Sequence, residues 1–100
     1  MSKVNIIRYQ TKPEAAEENQ RLVEAVFAEL ADATPDGLRY AAFRLADGVT
    51  FVHLVVSEGE DNPLPTLAAF KKFQENMGER VAGPPEFEEA TVVGEYRVLG

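Results

Sequence analysis

His53 is the one histidine in a chain of 100 residues. Its ordinary pKa near ~6.5 suits proton transfer at neutral pH, so in a water-poor pocket the ring could take a proton from a phenol or polarise a carbonyl. Two arginines, Arg8 and Arg44, could hold an anionic group of a ligand, and Tyr40 and Phe51 could wall an aromatic pocket. Each also has a plainer reading. A buried histidine can fill space between layers, an arginine can pair with one of the seventeen acids, and aromatics between sheets are usually core. Other chemistries lack their residues. No cysteine is present, which removes disulfides, thiolate metal sites and cysteine nucleophiles. One histidine without a patterned carboxylate partner falls short of a ligand set, so no metal and no cofactor are expected. The serines and threonines have no His–acid frame beside them. The carboxylates of segment 58–62 lack the spacing of a calcium loop and suit a solvated turn.

The elements that must position these residues follow from pattern. Val4–Gln10 is rich in β-branched residues and short enough for a strand. Thr11 and Glu14 have the spacing of a capping box, and Pro13 suits a first helical turn. The following helix runs to about Ala33, with Leu22, Val23, Val26, Phe27 and Leu30 as one apolar stripe. Leu38–Leu45 and Val49–Ser57 flank Asp47-Gly48, the signature of a tight type I′ hairpin. Thr66 to about Ala82 carries a second stripe of Leu67, Phe70, Phe73, Met77 and Val81, stopped by Gly83-Pro84-Pro85. Ala90–Leu99 supplies a last strand. The order β-α-β-β-α-β predicts one α+β domain over residues 1–100. It is ferredoxin-like, a four-stranded antiparallel sheet with two helices on one face.

The hairpin sorts side chains, because opposed residues share a face. With a two-residue turn, paired positions sum to 95. One face then carries Ala41, Phe43 and Leu45 against Leu54, Val52 and Thr50, and its apolar character assigns it to the helices. On this reading Phe43, Leu54, Leu22, Phe27, Phe70 and Met77 share one core. The other face carries Tyr40, Ala42 and Arg44 against Val55, His53 and Phe51. Left bare, it would form an apolar patch of a kind seldom exposed without a partner. A homodimer joined through the faces bearing Phe51 and Tyr40 follows, with His53 on the wall of a pocket between the sheets.

The Arg-Tyr-Gln-Thr-Lys-Pro end of the first strand, the acidic helix after it, Phe51-Val52-His53-Leu54, Ala68-Ala69-Phe70 and the Gly83-Pro84-Pro85 break resemble antibiotic biosynthesis monooxygenase-like domains. The resemblance covers most of the chain. It implies a dimeric α+β barrel with a small-molecule pocket inside each protomer. Some such proteins oxidise polycyclic phenols with O₂ and neither metal nor organic cofactor. By the family's alignment to Pro13, Ile6, Arg8 and Gln10 face the barrel, and Asn5, Ile7 and Tyr9 the helices. Haem-degrading relatives typically use an Asn in the first strand, a Trp on the sheet and a His on the second helix. This chain has no Trp, and its one His is in the third strand.

Two functions remain. One is a cofactor-independent oxygenase acting on phenolic or quinone-like compounds, with His53 catalytic and Arg8, Tyr40, Arg44 and Phe51 binding substrate. The other is a non-catalytic dimeric barrel that binds a small metabolite or only packs. A net charge of −7 makes nucleic acid a poor partner. No apolar run is long enough to span a membrane and the N-terminus lacks a signal-peptide pattern, so a cytoplasmic chain is expected.

Overall fold

The computed structural model describes residues 2–58 and 63–98. In chain order it shows β1 (Ser2–Gln10), a 3-10 turn (Pro13–Ala15), α1 (Ala16–Ala33), β2 (Leu38–Arg44) and β3 (Thr50–Glu58). A second 3-10 turn (Leu64–Thr66), α2 (Ala68–Gln74), α3 (Met77–Arg80) and β4 (Glu86–Ala90) complete it. The strands form one antiparallel sheet in the order β2-β3-β1-β4. This is the expected α+β ferredoxin-like arrangement. Among the described residues, no helix is long and apolar enough to cross a membrane.

The hairpin keeps the expected register but not the expected turn. Tyr40 faces Val55, Ala42 faces His53 and Arg44 faces Phe51. Gly48 has positive φ (79°) and Asp47 does not, so this is not a type I′ turn. Gly48 N–H donates to the Leu45 carbonyl (2.9 Å), and Leu45 N–H to the Thr50 carbonyl (2.8 Å). The Asp47 carboxylate accepts from the Val49 and Thr50 amides at 3.0 and 2.8 Å, which closes the loop without a second left-handed residue.

The assignment of faces to layers is reversed. Tyr9, Phe51 and Val55 pack with Val23 and Val26 of α1 and Phe73 of α2 in one core cluster. Along β3, Phe51, His53, Val55 and Ser57 are buried, while Val52, Leu54 and Val56 are only partly covered. Phe43 is 41% exposed. The helices therefore cover the face bearing His53, Tyr40 and Phe51, and the smoother aliphatic face is left open. The reason is bulk and polarity. Large rings and their hydroxyls need a deep layer with hydrogen-bond partners, which the helices supply, whereas small aliphatics leave a level surface. Leu22, Phe27, Phe70 and Met77 do pack against the core, but Phe43 and Leu54 lie on the far side of the sheet. The β1 assignment holds, since Tyr9 and Ile7 pair with Phe51 and His53.

Two boundaries also differ. The second helix breaks at Glu75 and Asn76, where Asn76 takes the left-handed conformation (φ 58°), which Asn tolerates better than most residues. The last strand is the acidic segment Glu86–Ala90, paired with Val4–Arg8, and not Ala90–Leu99. Charged residues suit a sheet edge because they deter pairing with other chains. Val92, Val93, Tyr96 and Val98 lie outside the sheet and are exposed, and Leu99 lies outside the described residues. Thr11 caps no helix; its N–H instead donates to the Val49 carbonyl (2.8 Å), tying the end of β1 to the start of β3.

Phe73 joins α2 to both the aromatic layer and the core, and is 5% exposed. Phe73→Ala is expected to destabilise the chain by about 3–5 kcal/mol in urea unfolding. A loss under about 1 kcal/mol would mean that α2 does not seat on this face.

Candidate functional site

Five side chains from five elements converge between the sheet and the helices. His53 projects from β3 and is 3% exposed. Its Nε2 lies 2.8 Å from the Tyr9 hydroxyl of β1, and its Nδ1 lies 2.5 Å from the Tyr40 hydroxyl of β2. The Asn19 amide of α1 donates to the Tyr9 oxygen at 2.9 Å. Arg80, at the end of α3, donates from Nε to the Asn19 carbonyl oxygen at 3.1 Å. The rest of that guanidinium holds the broken end of α2, donating to the Phe73 and Glu75 carbonyls. Aromatic rings surround the imidazole, with Phe73 at 5.6 Å and Tyr9 at 5.3 Å between centroids. Phe51 stacks on Tyr9 with an interplanar angle of 10°.

Burial sets the protonation states. It pushes the His53 pKa down to about 4, so the ring is neutral at pH 7. Burial pushes Tyr9 up to about 12, against the opposing pull of the Asn19 hydrogen bond and the Arg80 charge. Tyr40 is raised as well, by burial first and Tyr9 second. A neutral imidazole therefore sits between two neutral phenols. No buried side-chain nitrogen or oxygen lacks a partner among the described residues.

Two open grooves flank this centre, and neither is lined by His53. One, of about 290 Å³, lies between α1 and the edge strand β2, among Val23, Phe27, Ala42, Phe51, Gln20 and Arg44. Arg44 spans its mouth, donating to Glu17 (2.9 Å), Gln20 (2.8 Å) and the Gly48 carbonyl (2.9 Å), with its guanidinium 5.8 Å from the Phe51 ring centroid. Tyr40 does not line this groove, but its ring lies 4.8 Å from that of Phe27, which does. The other groove, of about 300 Å³, lies where β1 and β4 meet the Gly83-Pro84 segment and includes Arg8 and Glu86.

The structure thus brings His53, Tyr40, Phe51 and Arg44 to one side of the sheet and puts exposed Arg8 on the other. His53 lies within the protomer core and not between two sheets, which corrects the expected pocket position. Tyr9, Asn19 and Arg80 were not expected in the site. Asn19 had a visible signal: an amide inside the buried α1 series Ala16, Asn19, Val23, Val26 calls for a polar partner. Among the described residues, no three His, Asp or Glu side chains cluster closely enough to hold a metal ion.

With this geometry in place, likeness to known proteins adds the class. No family profile matches the sequence, and no curated protein matches it. Solved structures do. Rv0793 from Mycobacterium tuberculosis matches with a TM-score of 0.75 at 18% identity, over 95% of this chain and 98% of its own. A Nitrosomonas europaea protein provisionally named an antibiotic biosynthesis monooxygenase matches at 0.76 and 14%, over 92% and 90%. SnoaB, a cofactor-independent oxygenase from Streptomyces nogalater, matches at 0.69 and 15%, over 97% and 98%. The chain has the fold of the antibiotic biosynthesis monooxygenase-like proteins.

The His53 environment has a consequence for stability. The folded ring binds a proton only near pH 4, and the unfolded ring near ~6.5. Between these values the unfolded chain holds more protons, so stability is full above about pH 6.5 and falls as pH drops toward 4. The gap corresponds to about 3 kcal/mol. Urea unfolding of the wild type and His53→Phe at about pH 7.5 and about pH 4.5 isolates this share, because carboxylate effects are common to both proteins. An equal loss in the two proteins would contradict the buried neutral ring.

Proposed function

We propose that this chain forms a homodimeric α+β barrel and acts as a cofactor-independent oxygenase on phenolic or quinone-like compounds held at the groove between α1 and β2. The observation that carries the reading is the His53 centre: a neutral imidazole bonded to two tyrosines, one of which, Tyr40, is half-buried and packs on Phe27 in the wall of an aromatic groove. Phe27 and Phe51 offer flat faces to an aromatic ring, and Arg44 can release Glu17 to pair with a substrate anion. Substrate binds as its phenolate, whose electrons are shared with ring carbon. That carbon forms a bond to one oxygen of O₂, and the peroxide so formed takes a proton. Loss of water with the hydrogen on the same carbon leaves a carbonyl, so the substrate is oxidised by two-electron steps and O₂ ends in the carbonyl and in water. The chain contributes orientation, exclusion of water and charge stabilisation. His53 acts through Tyr40, and Arg8 lies too far round the sheet to share this groove.

The dimer rests on the open face. Ile6, Ala41, Val52, Leu54 and Val56 are half-buried there, and Phe43 beside them is exposed. A second protomer set sheet to sheet covers this face, which is the partner face opposite to the one inferred from sequence. The fact that neither groove reaches His53 supports the second reading, a barrel that binds a metabolite without turnover.

Oxygen uptake with a panel of naphthols, anthrones and their quinones separates the two. Tyr40→Phe is expected to lower kcat by about 10²–10³-fold, the usual effect of removing one donor to a developing oxyanion. Tight binding without oxygen uptake would leave the metabolite-binding reading. For the dimer, sedimentation velocity at micromolar concentration should show a wild-type dimer and a Leu54→Asp monomer, since the buried charge would have no partner. A wild-type monomer would contradict the barrel.

A further inference from the structure

The hydrogen bonds of the His53 centre have a direction, and it starts at Arg80. A guanidinium can only donate. Its Nε faces Asn19 at 3.1 Å, so the Asn19 carbonyl oxygen must point to Arg80 and the amide NH₂ to Tyr9, 2.9 Å away. The opposite amide orientation would set donors against donors. The Tyr9 oxygen therefore receives a proton from Asn19, and its own proton is available to His53 Nε2 at 2.8 Å. Were Nε2 protonated instead, the Tyr9 hydroxyl proton would be left unbonded at a residue 3% exposed. Nε2 is thus the acceptor and Nδ1 carries the hydrogen, which goes to the Tyr40 oxygen at 2.5 Å. Tyr40 has no other hydrogen-bond partner among the described residues, so its own hydroxyl proton is unspent. Tyr40 is also the half-buried member, on edge strand β2, and its ring packs on Phe27 in the groove wall.

We propose that Arg80 and Asn19 act as positioning residues that hold His53 in its Nδ1–H tautomer and so make Tyr40 a committed donor, selecting ligands that present a carbonyl or phenolate oxygen over ligands that present a hydroxyl donor. The inference rests on the groove reading above for its ligand half, while the tautomer stands on the buried network alone. It narrows the substrate class to compounds that meet the site as oxygen acceptors. It also gives a role to a buried arginine for which the described residues provide no carboxylate. Its fixed charge prescribes the order of protons along Asn19, Tyr9, His53 and Tyr40.

One substitution should reverse the order. In Asn19→Asp the side chain accepts from both Arg80 and Tyr9, so Tyr9 must accept from His53 Nε2–H, and Tyr40 must donate its proton to Nδ1. Because the chain has one histidine, a long-range proton–nitrogen spectrum of the labelled full-length protein shows one imidazole. At neutral pH it should report Nδ1–H in the wild type and Nε2–H in Asn19→Asp. Two probes read the consequence. The anion of 2-hydroxy-1,4-naphthoquinone should bind at least about tenfold more weakly to Asn19→Asp and to the charge-neutral Tyr40→Phe, as expected for loss of a hydrogen bond to a charged oxygen. The neutral donor 1-naphthol should not be weakened. An Nε2–H wild type, or the same tautomer in both proteins, overturns the inference and leaves the proposed function standing. The expected tautomers with neither probe bound would overturn the ligand half together with the groove reading. If Asn19→Asp does not fold, the wild-type spectrum with the Tyr40→Phe affinities decides.

Discussion

Placing one imidazole in a dry layer imposes a demand that the rest of the chain meets. A buried ring nitrogen without a partner is costly, and His53 has two of them. Tyr9 on β1 and Tyr40 on β2 satisfy them from the strands on either side of β3. Tyr9 then needs Asn19, and Asn19 needs Arg80, so the demand spreads from the sheet to α1 and to the end of α3. Arg80 in turn holds the carbonyls of Phe73 and Glu75, where the helix is broken at Asn76. Three strands and the helices above them are thereby joined by one chain of polar contacts, wrapped in the rings of Phe51, Phe73 and Phe27. The same contacts that position the imidazole hold the sheet and helices in register, so this centre cannot be loosened without loosening the fold.

The order of elements and the β2–β3 register were legible, because each depends on local signals: apolar stripes at helical spacing, and Asp47-Gly48 between two runs of β-branched residues. The face that meets the helices was not legible. Both faces of the hairpin are apolar enough to be buried, and uniformity favoured the wrong one. What decides the matter is Tyr9 standing opposite Phe51, a pairing across forty-odd residues of intervening chain that no turn fixes. The last strand was misplaced for a related reason. Val92, Val93 and Val98 have high strand propensity, but Glu86–Ala90 comes first after Gly83-Pro84-Pro85 and takes the free edge of β1. Of the site, Tyr40, Phe51, Arg44 and His53 could be singled out by type. Asn19 showed only as an amide in a buried helical series, and Tyr9 and Arg80 showed nothing, since their roles exist only once three distant segments meet.

The open face poses the opposite problem to the His53 face. It is largely aliphatic and only partly covered. The charged residues Arg8, Arg39, Glu86 and Glu88 share this face, with Glu88 opposite Ile6. Ile6, Val52 and Leu54 occupy its middle, with Arg8 and Glu86 toward one end. The His53 centre and the open apolar face thus lie on opposite sides of one sheet. Arg44 and Arg8, which look equivalent in sequence, fall on different sides and serve different surfaces.

The central claim is that His53 is buried and neutral under the helices of a single protomer. The most direct measurement is the titration of its ring by nitrogen NMR, unambiguous because no other histidine is present. The structure predicts an imidazole that stays neutral from pH 7 downward and titrates only near a pKa of about 4. A midpoint near ~6.5, the value of a ring open to water, would contradict it.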